Sequence, residues 1–129
     1  MIYSARLRHV SNEVEGEVLL TINGMDLPCF AYASLPHEAK EGSFYQVELI
    51  PLVLNDYQVS ELGEDAFPSI VQVGNSFAHV ITGRLNGNRL DAGSIVFEDD
   101  ALLSNFGYLE GKMIAWKIDR IDAEFLSDN

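Results

Sequence analysis

Residues 18–32 read VLLTINGMDLPCFAY, and this stretch carries the pattern that decides the fold. Apolar residues occupy every second position from Val18 to Ile22, just before the dipeptide Asn23-Gly24. Such alternation is typical of a strand with one buried face. Asn and Gly tolerate the positive φ angles that a two-residue type I′ turn requires. The stretch therefore predicts a β-hairpin.

The same pattern returns at residues 80–97, which read VITGRLNGNRLDAGSIVF. Asn86-Gly87 stands between two strand-like runs, so we predict a second hairpin that turns at these two residues. Each hairpin is followed by a linker, a glycine and one more strand-like run. Side-chain identity between the two halves is slight, so we interpret the recurrence as shared architecture and not as a duplication.

The rest of the chain is also strand-like, and helical periodicity is weak. A short helix is expected after Asp99, whose side chain suits an N-cap. About seven short strands with Gly and Asn turns predict an all-β fold with minor α content. We expect a small antiparallel, partly closed β-barrel of OB-like type, with a β-sandwich as the alternative. At 129 residues and 47% hydrophobic, the chain is expected to form a single domain over residues 1–129.

Charge is the strongest signal in the composition. Twenty acidic residues face eight basic ones, for a formal net charge of −12. Repulsion from phosphate groups opposes binding to nucleic acid and to anionic membrane surfaces. The surplus serves either solubility alone or an acidic face made for a basic protein partner. A single cysteine excludes an internal disulfide framework, and the first residues lack a signal-peptide pattern, so we expect a cytoplasmic protein.

Two groups of acidic residues are candidates for partner binding. Glu13, Glu15 and Glu17 are spaced by two, which predicts one strand face that either guards an edge or meets a positive partner. The second group falls within residues 43–83, which contain no Lys or Arg. Acidic residues near exposed aromatic ones suit the capture of a basic surface. The second group of candidates is Asp56, Tyr57, Glu61, Glu64 and Asp65.

No catalytic, metal or cofactor motif is present in the sequence. The phosphate-binding glycine motifs, the nucleophile elbow and the calcium-loop pattern are all missing, so no cofactor and no metal is predicted. His9, His37 and His79 are too far apart for a local ligand set. We interpret His79 as a strand histidine with a hydrogen-bonded ring. Cys29 has no cation or helix start near it in the sequence, which predicts burial as a small hydrophobe.

The function favoured by these observations is a non-enzymatic, acidic protein-interaction module. One concrete form is an inhibitor or immunity protein that neutralises a basic protein such as a nuclease toxin. The alternative is a barrel that binds a small ligand, with Trp116, Tyr45 and Phe30 as candidate lining residues. An enzyme with a site near His79 ranks last, because nothing in the sequence requires it. Pairing of two copies through an edge strand stays open, although the charge opposes it.

Overall fold

A computed structural model describes residues 1–32 and 35–126. Contacts divide the chain into two compact units: the barrel unit, residues 1–50 and from 121 onward, and the sheet unit, residues 51–120. The prediction of a single domain over residues 1–129 stays a prediction. The strands and the helix of the described residues are β1 (Ile2–Val10), β2 (Glu17–Ile22), β3 (Met25–Tyr32), β4 (Phe44–Leu52), β5 (Gln58–Glu61), β6 (Ser69–Gln72), β7 (His79–Asn86), β8 (Arg89–Asp91), β9 (Val96–Glu98), α1 (Asp100–Phe106), β10 (Met113–Ile118) and β11 (Arg120–Phe125).

The barrel unit is built from the first four strands and the last one. Its strand order is β1-β2-β3-β11-β4, and the sheet closes where β4 pairs with β1. β3 and β11 run parallel, while β1 is antiparallel to both of its neighbours. This order, with one parallel pair, is that of an OB barrel. The predicted OB-like barrel is confirmed, and the structure adds a parallel pair that strand patterning alone did not indicate.

The hairpin predicted at Asn23-Gly24 is confirmed. Ile22 pairs with Met25 across the turn, and the two turn residues have φ angles of 50° and 81°. Both angles are positive, as a type I′ turn requires. Every second residue of β2, from Val18 onward, is buried. The alternation therefore places one face of the hairpin in the core of the barrel unit.

The sheet unit holds the second hairpin in a separate sheet. Its strand order is β5-β10-β7-β8-β9, and β6 also pairs with β7. Asn86 pairs with Arg89, so the turn consists of Gly87-Asn88 and not of Asn86-Gly87. Gly87 has a φ of 65°, and a type II′ turn needs such an angle at its first central position. The hairpin was predicted correctly, but its turn lies one residue further along the chain.

The two units fill their cores with different side chains. Among the described residues, the buried hydrophobic side chains of the barrel unit are aliphatic apart from Cys29. Those of the sheet unit include Phe97 and Trp116, which are both 0% exposed. Each unit also buries one polar residue, Asp122 in the barrel unit and His79 in the sheet unit. In the described part of the chain, no helix is long and apolar enough to cross a membrane.

Candidate binding site

Four aromatic rings of the sheet unit form a continuous series, the aromatic row. Tyr57 stacks on Trp116, with ring centroids 6.1 Å apart and planes 12° apart. Phe106 lies 6.2 Å from Tyr57, and Tyr108 lies 6.4 Å from Phe106. Trp116 is 0% exposed and Tyr108 is 76% exposed. The aromatic row therefore leads from a buried position on β10 to the protein surface.

Strand register explains why Tyr57 meets Trp116. Trp116 pairs with Val59 of β5, so these two side chains share a face of the sheet. Tyr57 precedes Val59 by two residues, and residues two apart on an extended chain point to the same face. Tyr57 is therefore a diagonal neighbour of Trp116, within reach of an aromatic side chain.

Asp99 connects the aromatic row to the start of α1. Its Oδ1 accepts a hydrogen bond from the backbone nitrogen of Ala101 at 2.9 Å, which caps the helix as predicted. Its Oδ2 accepts a hydrogen bond from the hydroxyl of Tyr57 at 2.6 Å. Burial, the hydrogen bond to Asp99 and the negative charge of Asp99 raise the pKa of Tyr57 to about 12. One carboxylate thus positions both the helix and the ring.

The carboxylates around the aromatic row are bound by neutral groups. Asp100 accepts from the side-chain amide of Asn88 at 3.1 Å, and Glu110 accepts from the backbone nitrogen of Gly87 at 2.7 Å. Within residues 1–32 and 35–126, no Lys or Arg forms an ion pair with Asp99, Asp100 or Glu110. Their negative charge is therefore held in place without being neutralised. We define the acidic aromatic surface as Tyr57, Asp99, Asp100, Phe106, Tyr108 and Glu110.

The candidates that follow β5 lie near a different group of contacts. Glu61 is the last residue of β5, and Glu64 and Asp65 form the exposed turn after it. Glu64 lies 3.1 Å from Arg84, whose other nitrogen donates to the carbonyl oxygen of Gly111 at 2.6 Å. Arg84 therefore ties the turn to the residue after Glu110 while it offsets the charge of Glu64.

An exposed ring lies close to this turn in the sequence. Phe67 is 85% exposed, the largest exposure among the large hydrophobic residues that the structure describes. Asp56, at the other end of the segment, is exposed and immediately precedes Tyr57 of the aromatic row. The region predicted from its lack of Lys and Arg thus supplies one residue of the acidic aromatic surface and several flanking acids.

The prediction that Glu13, Glu15 and Glu17 share a strand face is wrong. β1 ends at Val10 and β2 begins at Glu17, so Glu13 and Glu15 lie in the connecting loop. The hydroxyl of Ser11 accepts from the backbone nitrogens of Glu13 and Val14 at 3.2 and 3.0 Å, which bends the chain. All three acids belong to the barrel unit, whereas the candidates of the second group belong to the sheet unit.

Two buried ring nitrogens lie in the sheet unit, Nε1 of Trp116 in the aromatic row and Nε2 of His79. Nδ1 of His79 is 2.8 Å from the carbonyl oxygen of Phe77. A carbonyl oxygen only accepts, so Nδ1 carries the proton and the neutral ring presents Nε2 as an acceptor. Burial lowers the pKa of His79, against the opposing effect of its bond to Phe77. Neither Nε2 of His79 nor Nε1 of Trp116 has a hydrogen-bond partner among the described residues.

Cys29 is buried in the barrel unit, as predicted. Burial raises the pKa of its thiol far above the ordinary value, and the negative charge of Asp122 raises it further. A thiol that resists ionisation is a poor nucleophile. Among residues 1–32 and 35–126, no three or more His, Cys, Asp or Glu side chains are grouped in a way that would hold a metal ion.

Sequence reasoning missed Phe106, Tyr108 and Glu110. Phe106 ends α1, and the 3-10 turn Gly107–Leu109 follows directly and carries Tyr108 to the surface. The one signal in the sequence was Phe106-Gly107-Tyr108, two aromatic residues around a glycine just after a capped helix. That signal does not reveal that the ring of Phe106 lies against the ring of Tyr57.

Fold and site together define an all-β protein with an OB-type barrel, a second β unit and an acidic aromatic surface. The model of the family described as "Uncharacterised conserved protein UCP019853" matches residues 1–126, and the chain belongs to this family. No curated protein and no solved structure matches the chain.

Proposed function

We propose that the chain is a non-enzymatic interaction module that binds a basic protein partner at the acidic aromatic surface. The observation that carries this proposal is the exposed end of the aromatic row, where Tyr108 is 76% exposed beside carboxylates without a cation. Aromatic residues supply much of the energy of protein interfaces when a partner buries them. An exposed tyrosine among negative charges therefore suits a partner rich in Lys and Arg.

Charge favours rapid encounter with such a partner. Residues 51–120 contain ten acidic and five basic residues, for a net −5, and the remaining residues carry the other −7. Within residues 98–110 there are four acidic residues and no basic one. A negative potential over the contact area attracts a positive protein and raises the association rate, most strongly at low salt.

Rigidity of the surface also supports binding. Asp99 holds both Tyr57 and the first turn of α1, and Glu110 holds the turn at Gly87. Groups that are already fixed lose less conformational entropy when a partner docks. Amide and hydroxyl donors hold the carboxylates, so their charge stays available to a cationic side chain.

The concrete form of the proposal is a cytoplasmic inhibitor that covers and neutralises a basic protein. In this form Glu61, Asp65 and Asp56 extend the negative area along the sheet unit, with Phe67 as a second aromatic contact, while Arg84 offsets the charge of Glu64. The barrel unit contributes negative charge through Glu13, Glu15 and Glu17. The proposal assigns the main binding energy to Tyr108 and Phe106.

The proposal is tested by titrating the protein with a fluorescent peptide of alternating Arg and Leu residues at low and at moderate salt. Replacing Tyr108 with Ala is expected to weaken binding at least about tenfold, the effect of a moderate interface anchor. The pair Asp100→Asn and Glu110→Gln keeps the acceptor oxygens and removes two charges. It is expected to slow association and to reduce the salt dependence.

The matched control carries Glu13→Gln, Glu15→Gln and Glu17→Gln in the barrel unit. It removes three charges, one more than the double variant, and leaves the acidic aromatic surface intact. It is expected to weaken binding less than Tyr108→Ala does. Equal losses in the two variants, or unchanged binding by Tyr108→Ala, would overturn the proposal and leave only non-specific attraction between charges.

A further inference from the structure

The two buried nitrogens without partners lie on one face of the same sheet. Trp116 pairs with Ile81 across β10 and β7, and Ile118 pairs with His79. Directly opposed residues share a face, and so do residues two apart on a strand. Trp116 and His79 are therefore diagonal neighbours on one face, with Cα atoms about 7–8 Å apart. Their side chains are 0% and 1% exposed.

The two nitrogens are complementary in their hydrogen bonding. The indole Nε1 of Trp116 can only donate. Nε2 of His79 can only accept, because Nδ1 holds the ring proton against the carbonyl oxygen of Phe77. One group that accepts from the first and donates to the second satisfies both. A hydroxyl oxygen does this, whereas a carboxylate has no proton to donate and an ammonium has no lone pair to accept with.

Burial makes an occupant energetically favourable. A buried polar group without a hydrogen bond destabilises the fold, and two such groups lie on one face of the same sheet here. The surrounding side chains, Ile81 and Ile118, are aliphatic and buried, so no other polar atom of these neighbours competes for the two nitrogens. Tyr57 covers one face of the Trp116 ring, and its own hydroxyl is bound to Asp99.

We propose that Trp116 and His79 form a binding site for a single hydroxyl group, supplied either by a small alcohol or polyol or by one ordered water molecule. The indole donates to the hydroxyl oxygen, and the hydroxyl proton is donated to Nε2 of His79. The site is independent of the proposed capture of a basic protein, which uses the exposed end of the row.

The experiment uses the fact that the chain contains one tryptophan. In a ¹⁵N-labelled sample of the whole chain, the single indole N–H gives one resolved cross-peak. Ethanol, ethylene glycol and glycerol serve as probes, with methylamine and acetate as matched small molecules that lack the required pairing. If an alcohol shifts the indole cross-peak in a saturable way and methylamine and acetate do not, an alcohol or polyol is supported as the occupant.

A long-lived contact between the indole proton and a water molecule supports an ordered water as the occupant, provided that no alcohol shifts the indole cross-peak in a saturable way. The variant His79→Leu removes the acceptor, and in it both signals are expected to disappear. His37→Gln changes an exposed histidine and is expected to leave them intact.

The wild-type spectra alone keep the proposal falsifiable if His79→Leu fails to fold. An indole proton that shows neither a long-lived contact with water nor a saturable shift with an alcohol overturns the proposal of a hydroxyl site. So does a folded His79→Leu protein that keeps either signal. Loss of binding to the basic peptide has no bearing on these spectra, so the two proposals fail separately.

Discussion

The barrel unit and the sheet unit build their interiors in different ways. The barrel unit buries aliphatic side chains, one cysteine and one aspartate, and its sheet closes on itself. The sheet unit buries a tryptophan, a phenylalanine and a histidine, and it also exposes Phe67 and Tyr108. The barrel unit, which has the more regular strand topology, is therefore also the unit whose interior contains no aromatic side chain among the described buried residues.

This difference indicates a division of roles between scaffold and recognition. Aliphatic side chains fill a closed barrel without polar atoms that need partners, so they stabilise without specifying a ligand. Aromatic and imidazole side chains bring polar ring atoms and directional contacts. Among the described residues, the buried aromatic and imidazole side chains, Phe97, Trp116 and His79, all lie within residues 51–120, which makes the sheet unit the place to test function.

The largest expected effect follows from removing the centre of the aromatic row. Replacing Trp116 with Ala deletes a fully buried ring that stacks with Tyr57, and we expect a loss of about 3–5 kcal/mol in the free energy of unfolding. Urea denaturation followed by circular dichroism measures this loss. Leu20→Ala makes the matched change in the barrel unit, where a loss of about 2–5 kcal/mol is expected. A loss below about 1 kcal/mol for Trp116→Ala would contradict the central packing role of the ring.

Acid should destabilise the protein through His79. Its pKa is lowered in the folded state from the ordinary 6.5, so the unfolded chain takes up a proton that the folded chain refuses. The stability is thus present above about pH 6.5 and is lost as the pH falls, by at most about 1.4 kcal/mol per pH unit for one proton. Denaturation midpoints at pH 7.5 and 5.5 measure the loss.

His79→Gln is expected to flatten this pH dependence, because the amide does not titrate. His37→Gln, at an exposed position, is expected to leave it unchanged. An equally steep loss of stability in His79→Gln would show that other groups cause the acid sensitivity.

The smallest expected effect concerns the bond between Tyr57 and Asp99. Tyr57→Phe keeps the stacked ring and removes the hydroxyl, and we expect a loss of about 1 kcal/mol at pH 7. The pKa of Tyr57 is raised in the folded state from 10.0 to about 12. Its stabilisation is therefore complete below pH 10 and is lost as the pH rises toward 12.

Thermal denaturation at pH 8, 10 and 11.5 tests this, with Tyr108→Phe as the matched control at an exposed ring. The wild-type protein should lose more stability than Tyr57→Phe between pH 10 and 11.5. A parallel decline in both proteins would mean that the hydroxyl of Tyr57 contributes nothing in alkali.

Local patterns predicted the local structure of the chain. Asn23-Gly24 defined the first hairpin, and Asp99 marked the start of α1, because turn and cap chemistry depend on a few neighbouring residues. The second turn was misplaced by one residue, since Asn86-Gly87 and Gly87-Asn88 both offer a glycine at a turn position. The acids at 13, 15 and 17 were misjudged because spacing by two has meaning only inside a strand.

Contacts between distant segments were beyond the sequence. The parallel pairing of β3 with β11 depends on which strands meet after some ninety intervening residues. Tyr57 was predicted as a site residue, but Phe106 and Tyr108 were not, because only the folded chain shows that Phe106 lies between the rings of Tyr57 and Tyr108. Trp116 was likewise predicted only as a lining residue, and the sequence did not reveal that its indole nitrogen has no hydrogen-bond partner among the described residues.

The chain leaves the barrel unit after Ile50 and returns to it at Ile121, and this order has a consequence for biosynthesis. A ribosome makes β11 only after the whole of residues 51–120, so four barrel strands must wait with an unfilled gap between β3 and β4. The nascent sheet unit already has every strand it needs at that stage. The barrel is therefore completed last, and a chain that ends near residue 120 would contain every strand of the sheet unit but would lack β11 of the barrel unit.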